Sequence, residues 1–263
     1  MDLSATIAGE LARLPCDYAF HYHRRGEAPL SFGNCERFLA ASIIKVPILF
    51  AWVYLERSNR ANRAEICELD FEPQVQGAGL SWLLRTRRLP FHDVLLLMTA
   101  LSDNLCTNLV IRRIGIERLN AIFRGPLGLQ DTEVQRKLMD YDARAAGREN
   151  WISARDCTQL FRLRDELTAA ERAWIEPMLL ACTDWALLMR NVPRDTVEFY
   201  HKTGSMEGIL HDWGYTATAE LFLLTQNAQD ERAVYEVFGR LGELLLEPPQ
   251  QVSRALPKTS ARR

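Results

Sequence analysis

Ser42 and Lys45 are the residues whose types and spacing best suit nucleophilic chemistry. They open an apolar run that extends to residue 55 and predicts a buried helix. Residues three apart on a helix share a face, so we expect the hydroxyl and the amine to meet. A serine hydroxyl becomes nucleophilic when a base takes its proton, and a lysine is such a base when burial or another cation lowers its pKa. Free N–H groups at the helix start would stabilise an oxyanion, which points to acyl transfer.

The same residues also fit an ordinary helix start. In that interpretation Ser42 caps the helix and Lys45 extends its amine to solvent along the apolar surface. Residues 42–45 alone therefore do not distinguish a catalytic site from an ordinary helix cap. Two later motifs help to distinguish them.

The second motif is Ser102-Asp103-Asn104, which separates two predicted apolar helices, residues 91–101 and 105–114. A second serine hydroxyl can relay a proton to a leaving nitrogen, and Asn104 can hold the Lys45 ammonium or a substrate amide. The alternative is a plain N-cap, because all three residue types are favoured there.

The third motif is Lys202-Thr203-Gly204-Ser205, at the end of a predicted strand over residues 196–202. Lys202 is a fixed cation that could anchor a substrate carboxylate and lower neighbouring pKa values. Thr203 and Ser205 offer hydroxyls, and the Ser205 N–H is a candidate second oxyanion donor. Gly204 has no Cβ, so a substrate could lie against the strand edge. The alternative is a strand that ends at a turn glycine.

Together and in this order, the three motifs resemble the signature of class A β-lactamases and penicillin-binding proteins. Ser42 precedes Ser102 by 60 residues and Lys202 by 160 residues, which is similar to the class A β-lactamase layout. Residues 211–215 also fit the strand pair of that family. The resemblance covers about residues 5–246.

The resemblance implies a role for each motif residue. Ser42 would attack a carbonyl and become acylated, Lys45 would transfer protons, and Ser102 would protonate the leaving group. Asn104 would position Lys45 and the substrate. It also implies that the N–H groups of Ser42 and Ser205 form the oxyanion hole and that the substrate carboxylate binds to the third motif, at Lys202, Thr203 and Ser205. This chemistry requires no cofactor.

One part of the family pattern is missing. Class A β-lactamases carry a Glu on a long loop after the second motif, and that Glu activates the deacylating water. The corresponding residues here, 136–143, contain no such motif, and Glu133, Glu149 and Glu166 have the wrong following residues. Asp140 is the candidate replacement, with Asp142 as a second choice. An Asp is one methylene shorter, and the alternative is that both are ordinary loop residues. Because the water-activating Glu is missing, efficient β-lactam hydrolysis is not expected, whereas acylation of Ser42 is unaffected.

Three functions therefore remain open. The first is a serine hydrolase that cleaves an amide or ester, including a β-lactam inefficiently, through a Ser42 acyl-enzyme. The second is an acyltransferase or peptidase that passes the acyl group to an acceptor other than water. The third is a non-catalytic ligand-binding domain, against which the intact nucleophile and base argue. The expected partner is a small molecule with a carboxylate and an amide or ester.

The order of predicted elements indicates a mixed α+β fold. Strands near both chain ends predict an antiparallel sheet flanked by N- and C-terminal helices, with an all-helical lobe inserted. We expect one domain over 1–263, in which residues 1–45 and 191–246 form the α/β lobe and residues 46–190 the helical lobe. The tail over 247–263 is expected to be flexible, and the polar residues 131–156 to form a long functional loop.

Composition excludes several classes of function. The net charge is −2 over 263 residues, which gives no electrostatic case for nucleic acid. No apolar run reaches the length of a membrane span. Six scattered cysteines form no Cys-x-x-Cys pair, and His21 and His23 on the first predicted strand are expected to face solvent, so no metal site is predicted. With no visible signal peptide, a cytoplasmic location is expected, although a trimmed secreted chain would look the same. The oligomeric state stays open.

Overall fold

The computed structural model describes residues 2–246, which form helices around one large sheet. The strands are β1 (Asp17–Arg24), β2 (Leu30–Gly33), β3 (Arg37–Leu39), β4 (Ile66–Glu68), β5 (Arg88–Pro90), β6 (Trp151–Ser153), β7 (Tyr200–Met206), β8 (Ile209–Tyr215) and β9 (Ala219–Gln226). The helices are α1 (Leu3–Leu11), α2 (Lys45–Arg57), α3 (Phe91–Ala100), α4 (Asn104–Ile114), α5 (Ile116–Arg124), α6 (Tyr141–Ala145), α7 (Ala154–Asp165), α8 (Ala169–Leu180) and α9 (Glu231–Leu245).

The central sheet is antiparallel and has the strand order β2-β1-β9-β8-β7. Strand β1, from the start of the chain, pairs along its length with β9, from the end, so that Phe20 lies opposite Leu223. The helices α2 to α8 all lie in the segment between β3 and β7. The predicted mixed fold, in which both chain ends build the sheet and helices are inserted between them, is confirmed.

Both faces of the sheet are covered, because successive side chains of a strand point to opposite faces. On one face, Phe20 and Leu223 pack with Ile7 of α1 and Phe238 of α9. On the other face, the neighbouring Phe222 joins the core of the helical lobe. The sheet is thus held between two apolar layers. Its edge strand β7 carries the third motif.

Two element boundaries differ from expectation near this edge. Strand β7 begins at Tyr200 rather than 196 and continues through Gly204 to Met206. Helix α8 ends at Leu180 instead of continuing to residue 189. The apolar residues 187–189, which suggested a longer helix, instead pack against the cluster beneath α9. These residues are apolar because they are buried in tertiary contacts, and their spacing happens to match that of a helix.

Other differences involve local interactions. His21 is buried rather than solvent-facing: its Nδ1 lies 2.9 Å from Ser31 Oγ, and its ring stacks on Phe222 at 5.5 Å. The strand predicted over 215–225 begins later, at Ala219, because Tyr215 is the last residue of β8 and residues 216–218 connect the two strands. Helix α5 was not predicted, and the segment 131–156 contains α6 and β6. The predicted flexible tail, 247–263, lies outside the described residues.

Glu171 joins the end of α2 to the start of α8. Arg57 Nε donates to its Oε1 at 2.6 Å, and the Thr168 N–H donates to its Oε2 at 2.8 Å. The hydrogen bond from Arg57, against the opposing effect of burial, lowers the Glu171 pKa to about 2. A carboxylate with a lowered pKa adds stability that is present above its ordinary pKa and is lost as the pH falls through the lowered value.

We therefore expect Glu171→Gln to lower the free energy of unfolding by about 1–2 kcal/mol at pH 7, since half-exposed ion pairs are screened. The variant should also lose the wild type's pH dependence between about pH 4.5 and 2. Urea unfolding at several pH values measures both effects. Glu176→Gln, on the same helix but in a simple i, i+4 pair with Arg172, serves as the control. An unchanged acid response of Glu171→Gln would contradict the assignment.

Candidate active site

Ser42 lies in a single 3-10 turn, Ala41–Ile44, that leads directly into α2. The α-helix thus begins at Lys45 and not at Ser42. Ala41 has φ 44°, a left-handed conformation that is uncommon for a residue with a side chain. Such strain persists when the surrounding structure enforces it, and it is typical of functional sites.

Lys45 is buried and its amine lies at the centre of the predicted residues. Its Nζ is 2.9 Å from Ser42 Oγ, 2.9 Å from Ser102 Oγ and 3.0 Å from Asn104 Oδ1. A fourth contact, 2.6 Å, joins it to the Ser102 carbonyl oxygen. The structure therefore brings the first two motifs together through one nitrogen atom.

Burial and the neighbouring charge decide the protonation of this amine. Desolvation lowers the pKa of Lys45 well below its ordinary value, and the positive charge of Lys202 lowers it further. Asp103 opposes both effects without cancelling them. The lowered pKa of Lys45 favours the neutral amine, the form in which a lysine can act as a general base.

Asp103 holds the second motif in place. Its buried carboxylate accepts hydrogen bonds from the backbone N–H groups of Leu80, Ser81 and Cys106 and from the Ser81 hydroxyl. It also forms the N-cap of α4, the helix that carries Asn104. The sequence indicated only the cap, because residues 80 and 81 are distant in the chain.

The segment around Gly79 passes close over this motif. At Gly79, φ is +82°, and a Cβ would lie 2.2 Å from Asp103 Oδ2. Nearby, the Asn104 amide donates to the Gln76 carbonyl oxygen at 3.0 Å. Only glycine allows the backbone to approach this closely. The segment thereby fixes both the Asp103 cap and the amide that contacts Lys45.

The third motif lies on β7, the edge strand of the central sheet. Lys202 is buried, its Nζ donates to the Thr203 carbonyl oxygen at 2.7 Å, and burial lowers its pKa. The Thr203 hydroxyl donates to Asp184 Oδ2 at 2.8 Å. Asp184 was not predicted, since it lies in a segment that was expected to be helical.

Gly204 is required for a reason different from the one expected. A Cβ there would lie 2.9 Å from the backbone nitrogens of Ser42 and Ile43. The absent side chain thus faces the 3-10 turn, and the glycine allows β7 to pack against the nucleophile's backbone. Any larger residue would press on the Ser42 N–H, the candidate oxyanion donor.

A buried His201–Asp212 pair supports β7 beneath Lys202. His201 Nδ1 lies 3.0 Å from Asp212 Oδ1, and Asp212 Oδ2 accepts from the Leu188 N–H at 3.2 Å. Burial disfavours the imidazolium, but Asp212 and Cys182 outweigh that effect and raise the His201 pKa. The two residues were not predicted, because their pairing depends on the β7–β8 register.

These elements enclose a cavity of about 580 Å³. Six of the predicted site residues line it: Ser42, Ser102, Asn104, Lys202, Thr203 and Ser205. Ala41, Ser102 and Met139, all of which also line it, have positive φ angles. Strained backbone is thus concentrated around the cavity, as expected for a functional site.

The loop 136–150 forms one wall of the cavity. Glu149 holds it closed: Arg136 Nη2 donates to Glu149 Oε2 at 2.7 Å, and Arg144 Nε donates to Oε1 at 2.9 Å. Leu138, which also lines the cavity, is fixed through its backbone by the Asn108 amide, at 2.7 and 3.0 Å. Long-range contacts create this wall, and no local motif predicts it.

Asp140 is not brought to the cavity. Its side chain is exposed and caps α6, where Oδ1 accepts from the Ala143 N–H at 2.9 Å. Its neighbours Met139 and Tyr141 line the cavity instead. Asp142 is also exposed and does not line it. The geometry therefore gives neither aspartate a place beside Ser42.

Within residues 2–246, no group of three or more His, Cys, Asp and Glu side chains is arranged to hold a metal ion. Over the same range, no helix combines the length and the apolar character needed to cross a bilayer.

Comparisons with known proteins agree with this fold. The model of a family described as the beta-lactamase enzyme family matches residues 3–248. A β-lactamase structure from Sphaerobacter thermophilus has 22% identity and a TM-score of 0.77, covering 92% of this chain and 94% of that one. The structure of PBP-A has 23% identity and a TM-score of 0.79, with 94% and 95% covered.

A further structure shows a mutant of PBP-A as its acyl-enzyme complex with penicillin G, at 22% identity and a TM-score of 0.77, covering 93% of this chain and 95% of that one. At these identities the structural likeness establishes the fold alone. No curated protein matches the chain.

Proposed function

Because the chain belongs to the β-lactamase enzyme family, we propose that it is a serine hydrolase that cleaves an amide or ester through an acyl-enzyme on Ser42. The observation that carries this proposal is the position of Lys45 Nζ, buried and 2.9 Å from both the Ser42 and the Ser102 hydroxyls. A nucleophile and its base within hydrogen-bonding distance are what covalent catalysis requires.

The proposed reaction begins with proton transfer from Ser42 Oγ to the neutral Lys45 amine. Ser42 Oγ then attacks the substrate carbonyl, and the N–H groups of Ser42 and Ser205 stabilise the oxyanion. Ser102 donates its proton to the leaving nitrogen or oxygen and recovers one from Lys45, 2.9 Å away. Asn104 holds Lys45 through Oδ1 and directs the amine at the two serines.

The second half of the reaction is proposed to be slow. Of the described residues, the carboxylates that line the cavity are Glu149 and Asp184, and both are engaged: Glu149 by two guanidinium groups and Asp184 by Thr203. A general base must hold a water by the proton it removes, and every oxygen of these two carboxylates already accepts a hydrogen bond from the protein. β-Lactams should therefore acylate Ser42 and leave slowly.

The same observation favours a second candidate, an acyltransferase or peptidase. If no side chain activates water, an amine or another nucleophilic acceptor would resolve the acyl-enzyme faster. Product formation that rises with the concentration of an added amine, such as glycine amide, would support this function over simple hydrolysis.

Intact-protein mass spectrometry with benzylpenicillin tests the proposal. The wild type should gain the mass of one benzylpenicillin, because β-lactam opening adds the whole molecule to Ser42, while Ser42→Ala should gain none. Ring opening that is unchanged in Ser42→Ala, or an adduct that persists in that variant, would contradict it.

Leu138 marks where a water-activating carboxylate could be introduced. It lines the cavity, and its backbone is held by Asn108, so a new side chain should enter a defined place. We expect Leu138→Glu to shorten the lifetime of the benzylpenicillin adduct at least tenfold, within the range of general-base effects. The isosteric Leu138→Gln is the matched control and should keep the slow wild-type decay. Equal decay of the two variants would contradict the prediction.

A further inference from the structure

The Thr203 hydroxyl is already committed within the protein. It donates its single proton to Asp184 Oδ2 at 2.8 Å, and Asp184 Oδ1 accepts from the Ala186 N–H at 3.1 Å. A hydroxyl has one proton to donate, so Thr203 cannot also donate to a substrate carboxylate without breaking the bond to Asp184.

A carboxylate lies near the lysine at this end of the cavity. Asp184 and Lys202 both line it, and the carboxylate lies close enough to act on the charge of the lysine. Arg136 and Arg144, the other cations among the described residues on the cavity wall, share Glu149 as their partner. A substrate carboxylate placed against Thr203 would therefore meet the like charge of Asp184, which offsets part of the attraction of Lys202.

Lys202 still offers donors to a neutral group. An ammonium has three protons, and one of them is bound by the Thr203 carbonyl oxygen at 2.7 Å. Each oxygen of Asp184 has one partner in the protein and can accept a second hydrogen bond. A group with both an acceptor and a donor would suit Lys202 and Asp184 together.

We propose that Asp184 determines specificity by disfavouring acyl donors with a carboxylate beside the scissile bond, and that the substrate presents a neutral donor–acceptor group there, such as a carboxamide. This inference rests on the proposed function, because it concerns the substrate of the Ser42 site. It replaces the sequence-based expectation of a carboxylate-bearing substrate.

Binding to Ser42→Ala tests the inference without chemistry. Three compounds are compared at millimolar concentration by ligand-observed NMR: benzylpenicillin, its methyl ester and its primary carboxamide. The carboxamide should bind at least tenfold more tightly than the carboxylate, and the ester should lie between them because it lacks the donor. Equal or tighter binding of the carboxylate would overturn the proposal.

Asp184→Asn in the Ser42→Ala background removes the charge and keeps the size of the side chain. The affinity for benzylpenicillin relative to that for its carboxamide should rise at least tenfold in this variant. Asp165→Asn, whose side chain is 62% exposed and does not line the cavity, is the matched control and should leave the ratio unchanged. An unchanged ratio in Asp184→Asn, or an equal change in both variants, would overturn the role of Asp184. Thermal unfolding of each variant confirms that it is folded.

The proposed function is tested separately in the wild type, by measuring whether any of the three compounds forms an adduct on Ser42. If the carboxamide is preferred in binding and no adduct forms, the proposed acyl-enzyme fails and the charge preference stands. If adducts form and the carboxylate binds best, the proposed function stands and the role of Asp184 fails.

Discussion

Replacing Lys45 with methionine is expected to reduce the rate constant for acylation of Ser42 by about 10³-fold, within the range of effects of a positioned general base. The amine of Lys45 lies 2.9 Å from Ser42 Oγ, and burial together with Lys202 lowers its pKa. Methionine keeps the length of the apolar stem and removes the base. The appearance of the benzylpenicillin adduct, followed by mass spectrometry under second-order conditions, measures the change.

Lys45→Arg separates the base from the charge. A guanidinium stays protonated in proteins, so it retains a positive charge beside Ser42 but cannot take the proton. We expect a loss as large as that of Lys45→Met. Substantial acylation by Lys45→Arg would mean that the lysine acts through its charge. In the wild type, the acylation rate should rise with pH and then level off. The midpoint of the rise should lie well below pH 10.5, because the lowered pKa of Lys45 allows the amine to lose its proton at lower pH.

Asp103→Ala is expected to lower the free energy of unfolding by about 3–5 kcal/mol. The substitution leaves three N–H groups, two of them buried, and the buried Ser81 hydroxyl without their acceptor. It also releases the segment at Gly79, which is shaped around that carboxylate. Urea unfolding monitored by tryptophan fluorescence measures the loss.

Asp156→Ala provides a matched comparison. Its buried carboxylate also accepts four hydrogen bonds, from the N–H groups of Gln130, Asp131 and Thr132 and the Thr132 hydroxyl. Neither chain neighbour of Asp156 lines the cavity, whereas both neighbours of Asp103, Ser102 and Asn104, line it. We expect a similar loss of stability in both variants and, at a temperature where both are folded, slower acylation only in Asp103→Ala. A tolerated Asp103→Ala, or equal acylation by the two variants, would contradict this assignment.

The motif residues could be predicted from sequence because their chemistry depends on short spacings. Ser42 and Lys45 are three residues apart, and Asp103 and Asn104 directly follow Ser102, so each motif identifies its own group of residues. The structure places these groups around one amine. The catalytic roles proposed for these residues come from the family resemblance, and the distances around Lys45 Nζ support them.

The rest of the site could not be predicted, because it depends on contacts between distant segments. Asp184 carries no local signal, because its segment has the apolar spacing of a helix. Glu149 lacks the following residues of the family motif, yet Arg136 and Arg144 hold it in the cavity wall. Asp140 fitted the expected role by position, but capping α6 uses its carboxylate. The sequence shows which side chains are present, whereas the conformation of the loop 136–150 determines which of them line the cavity.

The pairing of β1 with β9 has a consequence for synthesis on the ribosome. Phe20 of β1 pairs with Leu223 of β9, and the β7–β8 pair is joined to β1 and β2 only through β9. A nascent chain that ends before residue 219 can form helical contacts but lacks the strand that joins the two halves of the sheet. Such non-local pairing is slow and leaves strand edges open to wrong partners. We therefore expect the fold to be completed only after β9 has been synthesised, and the Ser42 nucleophile to meet its full set of partners only then.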